Sequence, residues 1–172
     1  MQVKAGDLLL TRNAGGEAAN QSPGYYNHSA IIGPQDWVIE SQRVPNSVIA
    51  VPIWSFFERY PEVLVLRCTN GETARRTAQV APRYLGRQYA TYMTVRPLWL
   101  WKDKDSCISL LRRIYNAVTG RDYMWRIPDS LLEVSWLKKV ALKKDYENYT
   151  PPPQTYKGML KVWPNRPAES YM

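Results

Sequence analysis

Within the first 68 residues, five short runs of aliphatic and β-branched side chains alternate with clusters of Gly, Pro, Asn and Asp. The runs are Leu8–Leu10, Ser29–Ile32, Trp37–Ile39, Ser47–Ile53 and Val63–Cys68. Each is too short for a helix and is closed by residues that favour turns, so the spacing predicts strands. Gly33-Pro34-Gln35-Asp36, between the second and third runs, reads as a hairpin-like turn. The polar, Gly-rich stretch 13–27 reads as a loop. Such a half-chain has what a compact antiparallel sheet or barrel needs.

The periodicity then changes. From Glu72 to about Leu85, the residues Ala74, Ala78, Ala81 and Leu85 share one face at helical spacing, although Pro82 interrupts it. A second helix is expected from Ser106, a good N-cap, to about Val118, with Gly120 as its stop. Cys107, Leu111, Ile114 and Val118 lie on one side of it. A third helix is expected from Ser130, where Ser130-Leu131-Leu132-Glu133 has the capping-box pattern and Leu131, Val134, Leu137 and Val140 follow at apolar spacing. Past Lys144 the Pro-rich stretches 150–153 and 164–167 cannot continue a helix, and Tyr156 and Trp163 give this tail something to pack with. The organisation expected is a catalytic-sized domain over 1–144 and an extended tail over 145–172. The fold class expected is α+β, a small antiparallel sheet or barrel packed on helices.

With 172 residues, 45% of them hydrophobic and 22% charged, the chain has the make-up of a folded domain rather than a disordered tail. Its formal charge of +8 suits an anionic partner, but the basic residues are scattered. Pairs such as Arg75-Arg76, Arg112-Arg113 and Lys138-Lys139 read as solvated helix sides. No zinc-finger, RNP or KH pattern occurs, so nucleic-acid binding is not expected. No apolar run is long enough to span a bilayer, and the first residues lack the apolar core of a signal peptide. The expectation is a soluble chain, cytoplasmic or delivered by a phage or secretion partner. One histidine and two distant cysteines do not supply a protein-built zinc site, and no cofactor is expected. Whether Cys68 and Cys107 pair is open from sequence.

Three residues could carry chemistry. Cys107 would occupy the first turn of a helix, where unpaired N–H groups and the helix dipole favour a thiolate and can hold an oxyanion. Asp103 and Asp105 would oppose that thiolate if they faced it. His28, the only histidine, opens a strand and is the natural base for a thiol. Glu40 ends the next strand and could reach His28 through the Gly33-Pro34 turn to orient its ring, with Ser41 and Gln42 as competitors. Taken alone, each has a simpler explanation: a small buried hydrophobe, an ordinary histidine, a strand-end carboxylate.

The order of the segments weighs more than any one of them. Gly6-Asp7-Leu8-Leu9, Asn27-His28-Ser29-Ala30-Ile31-Ile32-Gly33, Val38-Ile39-Glu40-Ser41 and Ser106-Cys107-Ile108-Ser109-Leu110-Leu111 follow one another along the chain. This order resembles the permuted branch of the NlpC/P60 superfamily, the YiiX/YebB-like papain-fold amidases, in which the histidine strand precedes the cysteine helix. Ile127-Pro128-Asp129-Ser130-Leu131-Leu132 is similar to the stretch that follows the nucleophile helix there. The sequence departs from the pattern at Ile108, where Ser is usual, at Asn27 before the histidine, and at Gln88-Tyr89-Ala90-Thr91, where Tyr-Asp is frequent.

The resemblance implies a papain-like fold and a cysteine hydrolase with Cys107, His28 and Glu40 as its catalytic residues. It implies a peptide or acyl-amide substrate, with cell-wall peptides as the first candidate. Two other readings use the same residues or the same fold: an acyltransferase or thioesterase, and a non-catalytic binding module.

Overall fold

Gly6 and Asp7 set the first strand in the middle of a sheet. The computed structural model describes residues 3–12, 24–60, 62–90 and 103–142. Gly6 has φ +89, and a side chain there would put its Cβ 2.2 Å from the main-chain oxygen of Ala74. The Asp7 carboxylate accepts from Arg67 Nε and a terminal guanidinium nitrogen at 2.8 and 2.7 Å, and from the Lys4 N–H at 2.8 Å. The Gly-Asp pair is thus a structural clamp: glycine allows close approach of the helical layer, and the carboxylate ties the strand's entry to a neighbouring strand.

The five expected strands all form: β1 (Leu8–Arg12), β2 (His28–Ile32), β3 (Trp37–Gln42), β4 (Ser47–Pro52) and β5 (Glu62–Cys68). The Gly33-Pro34 turn between β2 and β3 contains a 3-10 turn over Pro34–Asp36. Two-residue strands β6 (Gln88–Tyr89) and β7 (Lys104–Asp105) and a final strand β8 (Leu137–Leu142) complete one sheet of order β7-β6-β4-β3-β2-β1-β5-β8. All neighbours are antiparallel except β6 and β7, which run parallel.

Alternation along the strands divides the core in two. Leu9, Ala30, Ile32, Val38, Val63 and Val65 pack on Phe56, Phe57 and Tyr60. These come from α1 (Ile53–Arg59) and the residue after it. That short helix was not legible as a separate element, because the apolar run of β4 continues into it. Leu8, Leu10, Ile31, Ile39, Leu64 and Leu66 face the other way, onto Ile108, Leu111, Ile114 and Tyr115. The latter belong to α3 (Cys107–Thr119), which packs beside α2 (Gly71–Val80).

The first two of the three expected helices form, with differences that have local causes. α2 is capped by Asn70, whose side chain accepts from the Thr73 N–H at 3.0 Å. It ends at Val80 and tightens into a 3-10 turn over Ala81–Tyr84, as Pro82 requires. α3 begins with a reciprocal cap: Ser109 N–H donates to Ser106 Oγ at 3.2 Å, and Ser106 N–H donates to Ser109 Oγ at 2.8 Å. It ends at Gly120, in the left-handed region at φ 70.

The third expected helix does not form. Pro128–Glu133 is a 3-10 turn, and the apolar spacing beyond it belongs to β8. β8 pairs with β5 through a bulge between Val65 and Leu66. Across that bulge the strand changes faces, with Leu137 in the core half under α3 and Ala141 in the half under α1. The irregularity removes the simple alternation that marks a strand and leaves a spacing that mimics a helix. Ser130 is not the N-cap but the third residue of that turn, and its hydroxyl accepts from the Arg126 and Ile127 N–H groups at 3.4 Å. Lys138 and Lys139 are exposed on a strand, not on a helix, and Arg112 is 97% buried rather than solvated, with an ion pair to Asp122 at 2.8 Å.

The end of the first domain expected at Lys144 and the tail over 145–172, with Tyr156 and Trp163, lie outside the described residues. So does most of the loop expected over 13–27. Among the described residues no helix is long and apolar enough to cross a membrane. Cys68 and Cys107 are both free thiols.

The clamp at Gly6 is open to direct test. Gly6→Ala brings a Cβ against the Ala74 main chain and imposes an unfavourable φ, so a loss of about 1–3 kcal/mol is expected in denaturant unfolding. An unchanged midpoint would contradict the close approach of α2 to the start of β1.

Candidate active site

The three residues singled out in the sequence meet where β2 and β3 part. The β2–β3 ladder pairs Ile32 with Val38, Ile31 with Ile39 and Ala30 with Glu40, and stops there. His28 lies two residues beyond, on the strand face shared by Ala30 and Ile32. Its Nε2 is 2.8 Å from Glu40 Oε2. Ser41, instead of extending the ladder, turns its hydroxyl to the main-chain oxygen of Asp105. That bond ties β3 to the residue two before Cys107, and α3 packs on both β2 and β3. Cys107, at the first position of α3, is partly exposed.

Glu40 has no exposed surface. Besides His28, its carboxylate accepts from Gln42 Nε2 at 2.7 Å, from the Tyr60 hydroxyl at 3.2 Å and from an Arg59 guanidinium nitrogen. Burial alone would raise its pKa, but His28, Arg59 and Gln42 outweigh burial and hold it below the usual value. Of the competitors considered from sequence, Gln42 braces Glu40 and Ser41 braces the approach to α3. Neither bonds the imidazole among the contacts described.

His28 is 7% exposed, and its ring lies 5.7 Å from that of Tyr60. Burial pulls its pKa down, but hydrogen bonding and charge from Cys107 and Glu40 prevail and raise it to about 9. For Cys107 the balance runs the opposite way. Burial raises the thiol, whereas the His28 ring and the hydroxyl and main chain of Ser29 lower it below its ordinary value. Since Glu40 takes Nε2, Nδ1 is the ring nitrogen left for the sulfur. The Ser29 hydroxyl is fully buried and, among the described residues, lacks a hydrogen-bond partner of ordinary geometry, so its proton is available to a thiolate. Sequence reasoning did not single out Ser29. Its position next to the only histidine, at the end of a ladder, was the available signal.

The expected opposition from nearby acids is removed by pairing. Asp105 is fully buried between two guanidiniums, with Arg87 Nε and Arg113 Nε each 2.5 Å from its carboxylate. Arg113, read from sequence as a solvated helix residue, is one of these partners. Asp103 is exposed. Asp129, from the Ile127–Leu132 stretch, accepts from the Tyr25 and Tyr26 N–H groups at 2.5 and 2.9 Å and so fixes the chain leading into His28. Among the described residues no group of three or more His, Cys, Asp or Glu side chains is placed to hold a metal ion.

A cysteine at a helix start beside a strand-borne histidine, with the histidine first in the chain, defines a permuted papain-like arrangement. The chain belongs to the family of permuted papain-like amidases of the YaeF/YiiX type, family C92, whose sequence pattern matches residues 2–129. The fold is similar to that of a solved structure described as metalloprotein yiiX from Escherichia coli O157:H7, with a TM-score of 0.64 at 17% identity. That similarity covers 82% of this chain and 98% of the other. Among curated protein sequences nothing matches the chain significantly.

The direction of the two shifts sets a pH window. A lowered thiol pKa and an imidazole pKa raised to about 9 both favour a thiolate–imidazolium pair over the neutral one. Iodoacetamide is therefore expected to alkylate Cys107 rapidly well below the ordinary thiol pKa of about 8.5. Cys68, buried and raised by that burial, is expected to react slowly. His28→Ala is expected to move the Cys107 profile up towards an ordinary thiol. A parent profile that already titrates like a free cysteine would contradict the pair.

Proposed function

We propose that the chain is a cysteine hydrolase that cleaves an amide bond through an acyl-enzyme on Cys107. The observation that carries this reading is the 2.8 Å contact between His28 and Glu40 beside a partly exposed thiol at a helix start. Membership of an amidase family supports the reaction class.

In this reading the Cys107 thiolate attacks the carbonyl carbon, and the carbonyl electron pair moves onto oxygen. Main-chain N–H groups of the first turn of α3 are available to that oxyanion. His28, protonated at Nδ1, gives its proton to the amide nitrogen as the C–N bond breaks, and the amine leaves. A thioester remains on Cys107. His28 then takes a proton from water, the resulting hydroxide attacks the thioester, and the carboxylic acid departs as the thiolate and imidazolium are restored. Glu40 stays ionised throughout, holding the ring by Nε2 and stabilising its positive form. Peptides of the cell wall, as NlpC/P60 enzymes cleave, are the first substrates to try, because the chain's charge of +8 suits an anionic polymer.

The acyl-enzyme is the species to look for. With peptide and isopeptide amides, intact-mass measurement after rapid acid quench is expected to show an acyl adduct on Cys107. It should be absent in Cys107→Ala, and in His28→Ala turnover is expected to fall by roughly 10²–10⁴-fold. Hydrolysis that survives Cys107→Ala would remove the thiol from the mechanism.

A further inference from the structure

Arg43 opens the exposed turn between β3 and β4, directly after the residue that braces Glu40. None of the ion pairs among the described residues includes it. A surface arginine outside those ion pairs is ordinary by itself; its neighbours make this one informative. The other end of the turn is fastened to Tyr89, whose N–H donates to the Asn46 carbonyl at 3.2 Å. Tyr89 in turn pairs in register with Asp105, and the Ala90 N–H donates to the Asp105 carbonyl at 3.2 Å. The turn carrying Arg43, the Tyr89 ring and the start of α3 are thus joined by main-chain bonds.

Tyr89 is half-buried, and its phenol feels the charges of both the Cys107 sulfur and the Arg43 guanidinium. Burial and the thiolate keep its phenol above the usual pKa, against the pull of Arg43, so it remains a proton-bearing donor. The thiolate is already matched by the His28 imidazolium. Among the described residues Arg43 is therefore a cation without an ion pair, on a turn tied by main-chain bonds through Tyr89 to the start of α3. Arg87 and Arg113, two further cations near the start of α3, are both taken up by Asp105, and Lys104 is exposed on β7.

We propose that Arg43 and Tyr89 form a carboxylate-binding subsite beside Cys107, which selects amides bearing a free carboxylate close to the scissile bond. The guanidinium fork matches two carboxylate oxygens, and the phenol adds a further donor. Substrates of this class are peptides cut near a free C-terminus and acyl groups linked to amino acids. As a statement about substrate, the inference rests on the hydrolase reading; as a statement about anion binding, it does not.

Iodoacetate and iodoacetamide provide the test, since one carries a carboxylate and the other its neutral amide. Rates of Cys107 alkylation by both are measured in a Cys68→Ala background at fixed pH and ionic strength. The iodoacetate-to-iodoacetamide ratio is expected to fall roughly two- to fivefold in Arg43→Gln, the size an exposed ion pair supports. It should recover only in part in Arg43→Lys, which keeps the charge but not the fork, fall in Tyr89→Phe, and fall in the parent as salt is added. A ratio unchanged by Arg43→Gln would overturn the subsite. The hydrolase reading is judged separately by the iodoacetamide rate and its dependence on His28, so either can fail alone. Peptide pairs ending in a free acid or an amide complete the test. The parent is expected to prefer the acid and Arg43→Gln to lose that preference; equal turnover of both by the parent would also overturn the proposal.

Discussion

The Glu40 carboxylate is the constraint on which the site depends. An anion with no exposed surface is sustained only if other groups replace its water, and here His28, Gln42, Tyr60 and Arg59 do so. Those partners come from β2, from β3 itself and from α1 with the residue after it. The need to compensate one charge therefore fixes three elements relative to one another. Breaking a buried pair of this kind costs about 3–5 kcal/mol, because the surviving charge is left unsolvated. The same network presents His28 with a permanent negative neighbour, and that favours the imidazolium over the neutral ring despite burial.

A second requirement is that the thiol reach the histidine from the opposite face of the sheet. The end of the β2–β3 ladder at Ala30 and Glu40 leaves room for this. His28 lies on the face covered by α1, Ser29 on the face covered by α3, and the Cys107 sulfur interacts with both. Ser41 and the Ser106–Ser109 cap hold the start of α3 in place. Asp105, which would disfavour a thiolate if left unpaired, becomes with Arg87 and Arg113 a buried knot that anchors the same turn.

Much of this was legible in the sequence because the signals were local. β1 to β5 are apolar runs bounded by turn residues, and the Ser106 and Gly120 caps delimit α3. Order along the chain placed the histidine strand ahead of the cysteine helix. What was not legible depends on tertiary pairing. β8 is a strand because β5 offers it an edge, and its bulge hides the alternation. α1 is a helix because Phe56 and Phe57 bury against the sheet, although the run leading into it looks extended. The buried roles of Arg112 and Arg113 depend on Asp122 and Asp105. Ser29 acquires its place only when α3 docks. Glu40 could be named from its strand position, but its bracing by Arg59 and Tyr60 required α1 to exist.

The sequence contains a single histidine, so its imidazole resonances in an NMR titration are unambiguous. The His28 ring is expected to remain protonated through neutral pH and to lose its proton near pH 9. In Cys107→Ala, with the thiolate gone, that value should fall. An imidazole that titrates at or below the ordinary value of about 6.5, and does so identically in Cys107→Ala, would contradict the thiolate–imidazolium pair at the centre of the site.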